Sequence, residues 1–250
     1  KTIAPCMGKA TIAIEDKDFY KHSGISANGI VRAFISNSQG NAVQGGSTLT
    51  QQLVKKVFFT KDEAMQRGLS GIPRKIKEMI LAIEVERMYS KDQILGLYLN
   101  ESPYGGRRNG VESAAQTYFG KSSKDLTLPE CSLLAAIPNN PSLYNPYNTY
   151  GRKALVERQH KVLDDMVSMN YISKQEAAAA KKVDIMDTIK PLADQYANVK
   201  APHFVQMVKK QLEEELGKTI VGEGGLSVKT TLDLDAQTTL ETNIAKLFNG

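Results

Sequence analysis

The chain has no tryptophan, two cysteines and three histidines, and aromatic residues make up 7% of its 250 positions. Each shortage removes a class of function. Without tryptophan and with few other aromatics there is no platform on which nucleic-acid bases stack, and no nucleic-acid partner is expected. Cys6 and Cys131 are too few for a disulfide scaffold and are expected to act as packing residues. His160 and His203 fall in helical stretches without metal-ligand spacing, so both are expected to be structural or surface residues. No stretch approaches ~18 consecutive apolar residues, so nothing in the sequence spans a bilayer. The phosphate-loop order GxxxxGK[ST] is missing as well.

What remains is an ordinary globular composition, 41% hydrophobic and 24% charged, long enough for one or two domains. The formal charge of +5 suits an anionic partner: phosphate, pyrophosphate or an anionic membrane face. The chain starts at Lys1 rather than Met, so it is expected to be a processed or excised piece whose upstream anchor or signal is not visible.

The stretch from Ala13 to Gly24 holds Glu15, Asp16, Asp18, Lys17, Lys21 and His22 directly after the apolar Ile12, Ala13 and Ile14. An apolar run ending in a carboxylate is one way to fix that group at a pocket wall, where partial burial raises the pKa towards that of a useful base. A helix end with a solvated charge cluster reads equally well. Ile25 to Ile35 reads as a short, greasy helix, either a core helix or one that dips into a membrane. Ser36 to Gly46 is Ser-, Asn- and Gly-rich and reads as a loop.

Thr48 and Gln51 fit a capping box, so a helix starts there with Leu49, Leu53 and Val57 facing the core. A helix N-terminus followed by Lys55 offers a phosphate site. Ile76, Met79, Ile80 and Ile83 give an apolar face on a helix that also carries Arg74, Lys75 and Glu78. Taken alone, that RKxxE is a surface ion pair. Lys91 to Asn100 reads as an amphipathic helix with Ile94, Leu95 and Tyr98 inward, and Val111 to Phe119 as a helix stopped by Gly120. Capping boxes at Thr127/Glu130 and Ser173/Glu176, and a stripe of Leu155, Gln159, Val162 and Met166, mark further helices. Pro202 begins and Gly217 ends another, and the alternation of Leu226, Val228, Thr230 and Leu232 predicts a strand.

Several of these stretches, in this order, resemble the motifs of the peptidoglycan glycosyltransferases (glycosyltransferase family 51), the glycan-polymerising domain of class A penicillin-binding proteins. Glu15-Asp16, Phe19, His22 and Gly24 resemble the first motif, and Gly46-Ser47-Thr48 with Gln51-Gln52 and Lys55 the second. Arg74-Lys75-x-x-Glu78 resembles the third, Lys91 to Asn100 the fourth, and Gly110 to Lys121 the fifth. Weaker similarity runs on through Leu134 to Pro146. The β-lactam-reactive S-x-x-K, S-D-N and K-T-G are missing from this chain.

The resemblance implies a mainly α, lysozyme-like, two-lobed helical domain over 1–217. After it, 218–250 would form a short β-containing linker leading to a transpeptidase domain. It also implies polymerisation of lipid II into β-1,4-linked glycan by inverting displacement, with undecaprenyl pyrophosphate released. In that reading Glu15 is the general base. Lys55, Arg74 and Lys75 offset the pyrophosphate charge, while Glu78 orients those cations or holds a divalent ion such as Mg or Mn. Ser47, Thr48, Gln51 and Gln52 contact sugar or phosphate, and Asp16, Phe19, His22, Gly46 and Asn100 shape the cleft. Expected partners are lipid II, the lipid-linked glycan, cell-wall assembly proteins and the membrane surface, touched by residues 25–35 and 57–59. The phosphoglycolipid inhibitor moenomycin is an expected ligand. The implied location is the outer face of the bacterial cytoplasmic membrane, behind an N-terminal anchor. Two other readings stand beside this one: a glycan-cleaving hydrolase or lytic transglycosylase on a lysozyme-like scaffold, and a non-catalytic binder of lipid-linked precursors. The cation set Lys55, Arg74 and Lys75 separates the first of these, because a neutral glycan cleaver has no use for it, and an intact Glu15 speaks weakly against the second.

Overall fold

The computed structural model describes residues 3–26, 46–66, 68–106, 108–192, 200–223 and 226–248. It divides into two units, Lys1–Pro191 and Leu192–Gly250.

The first unit is helical. Helix α1 (Pro5–Glu15) starts on a proline, whose missing N–H costs nothing in a first turn. Helix α2 (Leu49–Phe58) opens on the expected Thr48/Gln51 capping box, and helix α3 (Lys61–Met65) on a second box at Thr60/Glu63. Helix α4 (Ile72–Met88) and helix α5 (Lys91–Glu101) follow, the latter capped by Ser90 and Gln93. Helix α6 (Val111–Phe119) stops at Gly120, which takes the left-handed conformation that glycine adopts without penalty. Helix α7 (Leu128–Ala136), helix α8 (Arg152–Ser168) and helix α9 (Lys174–Lys181) complete the unit, with the predicted boxes at Thr127/Glu130 and Ser173/Glu176 both formed.

These helices pack as two groups: α1 with α7 and α8, and α2 with α4 and α5. Met7, Ala10 and Ala13 of α1, Leu133 and Leu134 of α7, and Leu155, Val162 and Met166 of α8 are fully buried in one continuous core. Gln159 sits in the same stripe, where its Nε2 donates to Ser132 Oγ at 2.9 Å. Glu15 closes α1 and Leu49 opens α2, so the seam between the two groups runs past the charged stretch that follows α1.

Three expectations for this unit are corrected. Cys6 and Cys131 are joined by a disulfide, with Cα atoms 5.9 Å apart. Two cysteines make no scaffold, but one cross-link can tie α1 to α7 where the helices already pack. The bond closes a loop of 125 residues, so reducing it is expected to lower unfolding free energy by ~2–5 kcal/mol. Denaturant melts with and without reductant measure this, and coincident melts would contradict it. Val57, predicted to face inward, is 53% exposed. Helix α4 is turned over relative to its apolar pattern. Ile76 and Ile80 are more than half exposed, and the buried positions are Glu78, Ala82 and Val85. The face with Glu78 is buried because its charge finds cationic partners there, which an apolar-periodicity argument cannot register.

The predicted greasy helix at 25–35 and the loop at 36–46 lie largely outside the described residues; only Ile25, Ser26 and Gly46 fall within them.

The second unit holds helix α10 (Pro202–Leu216), helix α11 (Lys218–Glu223) and helix α12 (Leu234–Phe248), with α10 packed on α11. α10 ends at Gly217 as predicted. The strand predicted at 226–232 is not formed: residues 226–233 have no regular structure. A strand exists by pairing, and among the described residues the only pairing is an isolated bridge between Pro103 and Asn109. No helix among the described residues is long and apolar enough to cross a membrane.

Candidate functional site

Glu15 is the last residue of α1, and the turn after it is clamped on several sides. Asp16, next in sequence, is buried and accepts the Leu49 backbone N–H at 2.9 Å. It thereby satisfies one of the free donors at the start of α2. His22 Nε2 lies 2.9 Å from the same carboxylate. Gly24 has φ +90, and a Cβ there would stand 2.7 Å from the Ala82 carbonyl oxygen, so the close approach to α4 requires glycine. The Gly24 carbonyl accepts from Thr48 Oγ1 at 2.6 Å. Phe19 is fully buried edge-on to Tyr20 and His22, with Lys91 Nζ 4.5 Å from its ring centroid. Lys17 reaches α8 through Asp165 at 2.7 Å. The turn therefore binds α1 to α2, α4, α5 and α8, and the carboxylate at its head inherits that rigidity.

Glu15 has two partners from different helices. Gln52 Nε2 of α2 donates to Oε2 at 3.0 Å, and Arg158 NH2 of α8 donates to Oε1 at 3.2 Å. The Gln52 amide is fixed in turn, because Tyr98 OH of α5 donates to its Oε1 at 3.2 Å. Burial pushes the Tyr98 phenol well above the ordinary tyrosine range, so it remains a neutral donor. Arg158 also donates through Nε to the Ala136 carbonyl at 3.0 Å and lies over the Tyr144 ring. The Glu15 side chain keeps 10% of its surface open, so the held carboxylate still meets solvent.

A second cluster sits on α4. Glu78 is 2% exposed; Arg74 NH1 reaches its Oε2 at 2.5 Å and Lys75 Nζ its Oε1. Lys75 Nζ also donates to Ser47 Oγ at 2.8 Å. Ser47 immediately precedes the capping residue of α2, and Gln52 lies in that helix's first turns. The start of α2 thus touches both clusters, with the Arg/Lys-flanked carboxylate reached through Ser47 and the Glu15 carboxylate through Gln52. Lys55 is partly buried one turn further along the same helix.

Not every predicted site residue joins these two clusters. Thr48 and Gln51, expected to touch substrate, are each 2% exposed; Thr48 Oγ1 accepts the Gln51 backbone N–H and donates to the Gly24 carbonyl, and Gln51 Oε1 accepts the Thr48 backbone N–H. The Asn100 side chain is exposed, and its carbonyl abuts Gly110, where a Cβ would come within 2.7 Å. Gly46 is partly buried at the approach to Ser47. Nor is Glu78 built as a resident metal site. Both of its oxygens are taken by cationic donors, and the described residues contain no group of three or more metal-ligating side chains.

Sequence reasoning missed Arg158, Tyr98 as a polar group, and Glu86. Glu86 joins Thr50 at 2.5 Å and Lys91 at 2.7 Å behind the Glu15 turn. Arg158 had one visible signal: an arginine three residues after Leu155 and four before Val162, inside an apolar stripe where a charge needs a partner.

Residues 1–167 match the family model described as Transglycosylase. The chain belongs to the transglycosylase family. Penicillin-binding protein 1A of Aquifex aeolicus is 40% identical to this transglycosylase over 91% of the chain and 30% of the relative. Penicillin-binding protein 2D of Bacillus subtilis is 36% identical over the whole chain and 35% of the relative. Penicillin-binding protein 1A of Escherichia coli is 37% identical over 94% of the chain and 26% of the relative. The transglycosylase chain thus spans about a third or less of these relatives. Among solved structures, penicillin-binding protein 1A from Haemophilus influenzae aligns with a TM-score of 0.42 and 30% identity, over 68% of this chain and 20% of that one.

Proposed function

We propose that this transglycosylase polymerises lipid II. The observation that carries the reading is the placement of a held carboxylate, Glu15, and a cation cluster, Arg74 and Lys75 around Glu78, at the two sides of one helix start. Glycosyl transfer from a lipid pyrophosphate needs both parts. A base must take the proton from the attacking 4-hydroxyl as its oxygen bonds to the donor anomeric carbon. Positive charge must meet the pyrophosphate as the carbon–oxygen bond to it breaks.

Glu15 is oriented by Gln52 and Arg158 and receives the proton. Lys55, Arg74 and Lys75 take the leaving pyrophosphate, with Lys75 able to exchange its bond to Ser47 for a phosphate oxygen. Glu78 holds the two α4 cations in place and is a positioning residue. Because its oxygens are already used, no step is assigned to a divalent cation. One displacement turns an α-linked donor into a β-linked product, and the two carboxylates are held by different residues, Glu15 by Gln52 and Arg158 and Glu78 by Arg74 and Lys75. Incubation with labelled lipid II in detergent tests the reading: a ladder of glycan products is expected, and unchanged lipid II would contradict it.

The substrate's lipid implies that the site opens towards a membrane. Val57, Phe58, Met65, Ile72, Ile76 and Ile80 are all more than half exposed along α2, α3 and α4, close in sequence to Lys55, Lys56 and Lys77. Scattered apolar residues need no account, but a stripe at i, i+4 and i+8 on α4 beside Val57 and Phe58 marks a greasy, basic-edged surface suited to an anionic bilayer. Phe58→Ser with Ile76→Ser is expected to reduce flotation with anionic vesicles severalfold. Equal flotation of variant and parent would remove the membrane assignment from this face.

A further inference from the structure

We propose that Lys56 is a further anion-binding residue of the site, on the Glu15 side of α2, where it takes the diphosphate of the incoming lipid II. The proposal rests on the functional reading above and extends it from the leaving group to the acceptor.

Lys56 lies one turn beyond Gln52 on α2, and both side chains meet α5. Gln52 receives the Tyr98 hydroxyl. Lys56 Nζ sits 4.1 Å from the centre of the same tyrosine ring and donates to Ser102 Oγ at 2.9 Å. Ser102 in turn donates to the Tyr98 carbonyl at 2.6 Å, so the cradle under the ammonium is rigid. Glu15, Gln52, Tyr98 and Lys56 form one continuous line of contacts from the base to the cation.

The position is unusual for its charge state. Four partly buried cations around the site are matched: Arg74 and Lys75 by Glu78, Lys91 by Glu86, Arg158 by Glu15. Lys56 has a hydroxyl and a ring, and among the described residues no carboxylate is paired with it. Glu15 of α1 and Glu101 of α5 act on it only at longer range, and the desolvation of its ammonium outweighs both, lowering its pKa to about 8. Lys56 as a residue nevertheless keeps exposed surface, so a ligand can reach it. A cation that is held and incompletely compensated is a binding site for an anion.

The place of Lys56 assigns the anion. Arg74 and Lys75 lie on the α4 side, through Ser47, and Lys56 lies on the α5 side, through the Gln52–Glu15 line. Two lipid diphosphates enter the reaction, and the one beside Arg74 and Lys75 is the leaving group, so the cation on the α5 side of the helix meets the other. The acceptor lipid II carries its own diphosphate, which is not consumed in the step. Lys56 therefore contributes to binding, and only while protonated. Its folded-state pKa lies below the ordinary lysine value, so the charge is present at pH 7 and is lost as pH rises through about 8.

The test combines two readouts on the intact chain. In lysine 13Cε NMR, the Lys56 signal, assigned by its loss in Lys56→Arg, is expected to titrate near pH 8 and to move to higher pH with inorganic pyrophosphate. The movement should persist in Lys75→Ala, which removes a cation of the other cluster. A midpoint unchanged by pyrophosphate overturns the proposal, and so does a movement abolished by Lys75→Ala. In polymerisation, Lys56→Gln is expected to raise the KM for lipid II about tenfold with little change in kcat, roughly the loss of one charge-assisted hydrogen bond. It should also remove the fall in kcat/KM above pH 8, and Lys56→Arg should restore binding and push that fall to higher pH. Parental KM and an unaltered pH profile in Lys56→Gln overturn it. A chain that makes no polymer but shows the pyrophosphate response overturns the lipid II reading instead and leaves Lys56 as an anion site.

Discussion

Glu15→Gln is expected to lower lipid II polymerisation by about 10²–10⁴-fold, the usual worth of general base assistance. The substitution preserves shape, and the new amide oxygen can still accept from Gln52 or Arg158. What it removes is the capacity to take a proton. The rest of the turn, from the Asp16 bond to the Leu49 N–H to the Thr48 bond to Gly24, does not depend on Glu15. The fold is therefore expected to persist, with a melting temperature within about 4 °C of the parent, the shift that ~1 kcal/mol gives in a domain of this size. Activity within threefold of the parent, at unchanged stability, would remove Glu15 from the base role. The same substitution should leave binding of a phosphoglycolipid such as moenomycin nearly intact, because the cations that would meet its phosphate lie on α2 and α4.

The second large effect is expected on α4. Lys75→Ala should lower kcat/KM by about 10²-fold, the scale seen when one preorganised donor is removed from developing negative charge. Its side chain is 37% exposed, so the fold tolerates the change. Glu78→Ala differs, because the carboxylate is buried and its loss leaves Arg74 and Lys75 facing each other without compensation. About 3–5 kcal/mol of stability is expected to go with it, the penalty for breaking a buried pair from one side. The two variants separate positioning from direct contact. Lys75→Ala should fold and bind phosphoglycolipid weakly, whereas Glu78→Ala should melt early. A Lys75→Ala protein with parental kcat/KM and parental inhibitor affinity would contradict the pyrophosphate site.

How far the sequence reveals this arrangement depends on the range of the interaction. Helix starts are local: Thr48/Gln51, Thr127/Glu130 and Ser173/Glu176 each need only four consecutive residues, and all three boxes form. Gly120 and Gly217 end their helices for equally local reasons. The contacts that build the site are not local. Arg158 meets Glu15 across 143 positions and Gln52 meets it across 37, and neither spacing carries a signal in one sequence. Helix α4 shows the opposite failure. Its isoleucines follow helical periodicity well, yet periodicity assumes that apolar residues seek the core, and here Ile76 and Ile80 stay outside while Glu78 goes in. The disulfide escaped for a related reason, since a count of two cysteines says nothing about whether α1 and α7 place them 5.9 Å apart. The strand expected after Leu226 failed because alternation predicts a surface ready to pair, not the presence of a partner.

The proposed polymerisation needs a proton acceptor and a pyrophosphate site at one helix start to act together on lipid-linked sugars. Product accounting after incubation of the chain with doubly labelled lipid II, one label in the sugar and one in the lipid, tests it most directly. The expected product is polymer whose new bonds are β-1,4, with one lipid pyrophosphate released for each bond formed. Released lipid pyrophosphate with free disaccharide and no polymer, α-configured bonds, or shortening of preformed glycan without consumption of lipid II would contradict it.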